Sequence, residues 1–398
     1  MEYGRPIKVL HIIDRWSEGG VRRVVSNISE KLLEDGHQVE VLSYFDTPDT
    51  LAGNNGPGRK DSNEGIGITP IGFRRVSVIQ AVKRFYEVLN TQQPDIIHDH
   101  YGGVWSLLFL TVPRWRRRSL YHVHNEFEVV PGSPDQKRAV RDYLFQRYLL
   151  PKYCRVLPVS IPLRSRLLKA QPALQGRCRV VHNSIDPALY EKEHSTGQKV
   201  KEVHGIGDRY ELLIGNVGRL VYEKGQDTVV EVLGLLRDKG INAAALLVGA
   251  GDPVFVGQLR EMAEQRGIAR HCYFTGHVAN SADYYRAMDV FLCTSRQEPF
   301  GLTLLEAMAC RIPIVGVLPE RPGGPDEILS GGHNSLVADR RDAQYIAGQV
   351  IRLQEDAELA ARVSESGCRT LKYFSHNRMY RVLSDIYRTV VKEAGPQG

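Results

Sequence analysis

Long apolar runs are missing from this 398-residue chain. The longest, Val104-Trp105-Ser106-Leu107-Leu108-Phe109-Leu110, falls far short of the roughly 18 residues a spanning helix needs, so no transmembrane segment is expected. The opening Met1-Glu2-Tyr3-Gly4-Arg5-Pro6 shows no succession of basic, apolar and small residues, so no signal peptide is expected and the cytoplasm is the expected compartment. Six cysteines (Cys154, Cys178, Cys272, Cys293, Cys310, Cys368) stand apart, without a C-x-x-C pair or metal-ligand spacing, which argues against disulfides and structural zinc. The G-x-G-x-x-G fingerprint is absent, which counts against a nicotinamide dehydrogenase.

What is present is ordinary for a globular protein: 42% hydrophobic and 25% charged residues, in a length that exceeds one hydrophobic core and implies two domains. The net charge of +6 is lopsided. Residues 1–185 hold 27 Lys and Arg against 18 Asp and Glu, so the first half is expected to meet something anionic.

Ile7 to Ile13 is too apolar to alternate, as a strand covered on both faces must be. Val21, Val24, Val25, Ile28 and Leu32 then follow a helical period closed by Gly36, and His37 to Tyr44 reads as the next strand, completing a βαβ unit. Further strands are expected at Asp95–His98, Leu120–His124, Arg155–Val159 and Arg179–His182, with a Gly/Asn/Pro-rich mobile loop over Thr47–Gly67. The alternation restarts with strands Leu212–Val217, Ala244–Val248, His271–Thr275, Val290–Thr294 and Ile312–Val317. The expected fold class is therefore α/β, with two Rossmann-like parallel-sheet domains. The expected division is 1–185, 186–374 and an amphipathic helix within 375–398, patterned by Met379, Leu383, Ile386, Tyr387 and Val390.

Ligands of open parallel sheets sit beyond the carboxyl ends of strands. Gly19-Gly20 would let an anion approach the backbone, although a plain tight turn accounts for it equally well. In Gly218-Arg219-Leu220-Val221-Tyr222-Glu223-Lys224-Gly225, Arg219 and Lys224 suit a diphosphate, unless Glu223 simply pairs with one of them. Glu306 stands among Leu, Ala and Met in Glu298-Pro299-Phe300-Gly301-Leu302-Thr303-Leu304-Leu305-Glu306. A buried carboxylate needs a partner there, whether two sugar hydroxyls or an arginine. Backbone N–H groups of Phe300, Gly301 and Leu302 would face a phosphate. Among the 13 histidines, His98, His100, His122 and His124 lie at strand ends, and His124 opens a loop toward a cleft; a zinc site made of these four is conceivable, but no Cys or carboxylate spacing supports it.

These residues make the chain resemble the retaining, nucleotide-sugar-dependent glycosyltransferases of family 4, with the GT-B fold of two Rossmann-like domains facing across a cleft. Glu298 and Glu306 reproduce the E-x7-E spacing, G-R-L-V-Y-E-K-G the phosphate-binding loop, and S-E-G-G-V-R-R-V the N-terminal glycine loop. V-H-N-S-I-D, L-L-V-G-A-G-D, Y-F-T-G-H-V and G-G-P-D-E-I-L are also similar. The resemblance implies that Arg219 and Lys224 bind the donor diphosphate, helped by Gly19, Gly20 and the backbone of Gly301 and Leu302. It gives Glu306 the ribose, Glu298 the donor-sugar hydroxyls, His124 the region of the C6 hydroxyl, and the segment of His277 and Val278 the base. It further implies that the last helix crosses back to the first domain. Ser184, where N-G-V-D is usual, and Arg311, where a small residue is common, depart from the pattern.

The implied activity is transfer of a hexosyl or N-acetylhexosaminyl unit, from a UDP-sugar in preference to a GDP-sugar, to an acceptor hydroxyl with retention. His124, Glu298, Arg219 and Lys224 are its candidate catalytic residues. No cofactor and no metal are expected, since no D-x-D segment is present. A GT-B epimerase acting on the donor alone and a non-catalytic nucleotide-sugar or polyanion binding protein are the other readings. Nucleic acid is not an expected partner, because basic residues are not interleaved with aromatics outside Arg114-Trp115-Arg116-Arg117-Arg118. That cluster, with Arg74, Arg75, Lys83, Arg84 and Arg138, suits peripheral contact with an anionic membrane and a lipid-linked or oligosaccharide acceptor, or is a solvated face.

Overall fold

Strand β1 (Lys8–Ile13) is buried at every position after its first, and that burial on both faces commits it to the interior of a parallel sheet. The structure is a computed structural model and describes residues 5–16, 19–46, 66–73, 76–125, 136–190, 195–338 and 340–395. The chain divides into two units, Met1–Ser184 with His376–Gly398, and Ile185–Ser375.

In the first unit, β1 is followed by the helix Gly20–Glu34, β2 (Gln38–Ser43), β3 (Gly67–Pro70), the helix Val78–Gln92, β4 (Ile96–Asp99), β5 (Ser119–Val123) and β6 (Arg155–Pro158). All neighbouring strands pair in parallel, in the order β3-β2-β1-β4-β5-β6, with His11 of β1 opposite His98 of β4. The chain order reverses between β1 and β4, which makes their carboxyl ends the topological switch point of this sheet. The helix His376–Ala394 belongs to this unit and buries Met379, Leu383, Ile386, Tyr387 and Val390.

The second unit repeats the plan with β7 (Leu212–Val217), β8 (Ala243–Val248), β9 (Cys272–Gly276), β10 (Val290–Cys293), β11 (Ile314–Val317) and β12 (Leu336–Ala338). Its parallel order is β12-β11-β10-β7-β8-β9, so the reversal falls between β7 and β10. Its core joins Ile214, Val229, Leu233, Leu247, Leu259, Leu292, Val315 and Val350. The α/β expectation holds for both units.

Several details differ from the expected elements. Arg179–His182 is not a strand: Cys178 makes an isolated bridge to Val156, and only the amides of Arg179 and Val181 reach β6, so the segment extends without a ladder. Strands β3 and β12, of four and three residues, were not anticipated. Gly67, assigned to a loop, opens β3, while residues 47–65 of that loop lie outside the described residues. So do Ser17, Glu18, Arg74, Arg75, the Arg138 side chain and the segment after Asn125.

Candidate active site

The second unit gathers its candidate residues at the switch point. Beyond β7 the chain turns at Gly218, exposes Arg219, buries Leu220 and makes one 3-10 turn over Tyr222–Lys224. Gly225 follows with φ 67°, and a side chain there would run into the Thr294 carbonyl, so glycine is required at this close approach. Buried Gln226 fixes the loop from beneath, donating its amide to the Arg219 carbonyl at 3.0 Å and to Asn216 Oδ1 at 3.2 Å. Among the described residues, the Arg219 guanidinium has no hydrogen-bond or ion-pair partner.

Beyond β10, the amides of Arg296 and Gln297 donate to the Glu223 carbonyl at 2.8 and 3.1 Å, and Arg296 clasps Asp227 with both terminal nitrogens. The two loops are thereby held side by side. Lys224 Nζ meets Glu298 Oε2 at 2.5 Å, and Ser295 Oγ lies 3.4 Å from the same oxygen. Lys224 therefore pairs with Glu298; the simpler sequence alternative, a pair with Glu223, is not what forms. Glu298 is only 7% exposed, so the cation offsets much of its cost of desolvation.

The helix Leu302–Ala309 starts after Gly301 (φ 101°) with no side-chain cap, leaving its first-turn N–H groups to be satisfied otherwise. Phe300 is buried and Leu302 half-buried. Gly324 packs where a side chain would strike the Phe300 carbonyl, and its amide donates to the Glu298 carbonyl at 3.1 Å; the Gly-Gly-Pro-Asp-Glu loop thus braces the turn. Glu306 is 4% exposed and accepts from Tyr285 Oη at 3.0 Å. Burial, then the Glu306 carboxylate, holds the Tyr285 phenol well above its ordinary pKa, so it remains a donor. Tyr285 was missed in the sequence: it precedes β10 in an ordinary amphipathic helix, Ser281–Ala287.

The loop after β8 links the remaining candidates. Leu220 donates to the Ala250 carbonyl, and Gly249 to the Gly276 carbonyl at the end of β9. Exposed His277 and half-buried Val278 follow Gly276 on this same carboxyl edge.

In the first unit, Gly19 (φ 152°) and Gly20 are exposed at the start of their helix. His124, partly exposed at the end of β5, places its Nε2 2.9 Å from His100 Nδ1, and His100 Nε2 in turn meets His11 Nδ1 at 2.9 Å. Burial holds His98, His100 and His124 well below the usual imidazole pKa, His11 at about 3 and His122 at about 4. The structure thus joins the four expected histidines to a fifth, His11, which single-strand spacing could not reveal.

Ser184 and Arg311 have local roles. Ser184 Oγ reaches Met379 Sδ at 3.3 Å and its carbonyl accepts from Asn27 at 3.1 Å, tying the last helix to the first. Arg311 adopts φ 58° and pairs with Glu365 at 2.6 Å. Within the basic cluster, Trp115 and Arg118 are buried, and Arg114 stacks 4.2 Å from the Trp115 ring; only Arg114, Arg116 and Arg117 face solvent. The apparent aromatic interleaving is therefore core packing.

The family model for Glycosyltransferase Family 4 matches residues 18–189, and that for Glycosyl transferases group 1 matches residues 198–370. N-acetyl-alpha-D-glucosaminyl L-malate synthase of Bacillus anthracis is 27% identical over 77% of this chain and 78% of its own. A GDP-mannose-dependent alpha-(1-6)-phosphatidylinositol monomannoside mannosyltransferase of Mycolicibacterium smegmatis is 32% identical, over 46% of this chain and 48% of its own. The crystal structure of Anabaena HepE in complex with UDP-glucose gives a TM-score of 0.76 at 20% identity, covering 96% of this chain and 100% of that one, a likeness of fold. Among the described residues, no helix is long and apolar enough to cross a membrane.

Proposed function

We infer that this chain, a GT-B glycosyltransferase of the family 4 and group 1 type, moves a hexosyl or N-acetylhexosaminyl unit from a nucleotide diphosphate sugar to an acceptor hydroxyl with retention. The observation that carries this reading is the Lys224–Glu298 pair at the switch point of the second sheet, beside exposed Arg219 and the uncapped helix Leu302–Ala309. As the glycosidic bond breaks, negative charge grows on the departing diphosphate. Arg219, Lys224 and the N–H groups of Gly301 and Leu302 stabilise it electrostatically, so the transfer requires no metal. Glu298 binds donor-sugar hydroxyls, Glu306 the ribose, and the segment of His277 and Val278 the base. The resemblance also assigns Gly19 and Gly20 to the diphosphate and His124 to the sugar. Attack and departure on one face, through an oxocarbenium-like state, give retention.

A UDP-sugar is the favoured donor: the UDP-glucose complex with this fold supports it, and the GDP-mannose-dependent relative keeps GDP as its rival. The acceptor is lipid-linked or an oligosaccharide. Exposed Val140, Tyr143, Leu144 and Tyr148, interleaved with Arg141 and Arg147, suit an anionic lipid surface. Co-sedimentation with anionic vesicles at low salt tests that part, and its failure points to a soluble acceptor.

The donor site is tested by thermal shift with UDP, GDP, ADP, TDP and CDP on wild type and Glu306→Gln. At 100 times its dissociation constant, a ligand adds about 2.7 kcal/mol, or several degrees. One nucleotide should stabilise wild type and hardly the variant; no shift from any of them removes the reading.

A further inference from the structure

The histidines of the first sheet form a cluster that donor binding does not explain. His11 and His98 lie on adjacent strands β1 and β4 and His100 just after β4; all three are at most 5% exposed, and one ring nitrogen of each lies within 4.8 Å of one from each of the others. His11 Nε2 and His98 Nε2 are buried without a hydrogen-bond partner, a costly arrangement in a core. His100, His122 and His124 form a second such triplet that shares His100 and reaches solvent at His124.

We propose that His11, His98 and His100 bind one transition-metal dication of the zinc class. Three imidazoles are an established ligand set for zinc, with a fourth position left to solvent. His11 Nδ1 and His100 Nε2 face each other at 2.9 Å, close to the roughly 3.3 Å expected between two nitrogens sharing a tetrahedral zinc. The ion takes the place of the proton shared between these two nitrogens and gives the orphaned His98 nitrogen a partner. Outer contacts are in place for two of the three ligands: His98 Nδ1 meets Tyr387 Oη at 2.6 Å and His100 Nδ1 meets His124 Nε2 at 2.9 Å, the second contacts that orient ligating histidines, while His11 Nε2 has none among the described residues. The outer triplet supplies the entry path. The ion is structural, tying β1 to β4 and, through Tyr387, to the helix His376–Ala394; it takes no part in the transfer proposed above.

The full chain, stripped with a chelator, is titrated with Zn2+ against a chromophoric chelator, and with Co2+ under visible spectroscopy. One equivalent of Zn2+ and the intense bands of tetrahedral Co2+ are expected. His11→Gln and His98→Gln should each weaken Zn2+ by more than about tenfold and Tyr387→Phe by about tenfold. His333→Ala, at an exposed histidine of the other unit, should leave it unchanged. Where a ligand variant fails to fold by circular dichroism, the wild-type stoichiometry and Co2+ spectrum decide alone. Substoichiometric uptake by wild type, octahedral Co2+ bands only, or unaltered affinity in folded His11→Gln and His98→Gln overturns the site.

Discussion

Lys224 has two duties that a pair of substitutions separates. It holds the charge of buried Glu298 in the resting protein, and in the proposed reaction it meets the departing diphosphate. Lys224→Ala should therefore cost about 1–3 kcal/mol, reduced from the value for a fully buried pair because the lysine keeps solvent access, and should remove most transfer activity. Lys224→Met with Glu298→Gln should recover the stability in urea denaturation and none of the activity; recovered turnover would remove Lys224 from the chemistry. Arg311 gives the opposite kind of prediction. Its φ of 58° is strained for a side chain, and its pair with Glu365 is exposed. Arg311→Gly should stabilise the protein by about 0.5–1 kcal/mol, read as a rise in denaturation midpoint.

Among elements, the turn into the helix Gln226–Asp238 is the least tolerant of change. Gly225→Ala places a methyl group against the Thr294 carbonyl in a left-handed conformation, so a loss of about 2 kcal/mol is expected. Activity should fall further than stability at assay temperature, because the Arg219–Lys224 loop must move; wild-type kcat in a folded Gly225→Ala would show that its position does not matter. The central strands were legible because burial on both faces writes an unbroken apolar run. Strands β3 and β12 were not, since three or four residues at a sheet edge carry no period, and Arg179–His182 was over-read because an apolar extended segment looks the same whether or not it completes a ladder. The site was legible where one segment carries it, as in Glu298 to Glu306. It was illegible where tertiary pairing does: Tyr285 under Glu306 becomes visible only once the helices Ser281–Ala287 and Leu302–Ala309 are packed, and His11 beside His98 only once the register of β1 and β4 is known.

For the whole molecule, a repeated plan gives two sheets of the same order, each with its own core, in units joined near Ser184 and again near Ser375. The second junction returns the chain to the first unit, where the helix His376–Ala394 packs and where Arg155 pairs with Glu393 at 2.6 Å. Stability should therefore be separable by unit. Leu383→Ala empties a fully buried position in the last helix and should cost about 2–5 kcal/mol, all of it in the first unit. The nucleotide of the proposed donor, assigned in that proposal to the loops after β7 and β10, should raise the transition of the second unit. In calorimetry, Leu383→Ala should split the unfolding endotherm, lowering one transition while UDP or GDP lifts the other. A single transition that both perturbations move together would mean that the two cores unfold as one cooperative structure, and that the last helix stabilises the entire chain.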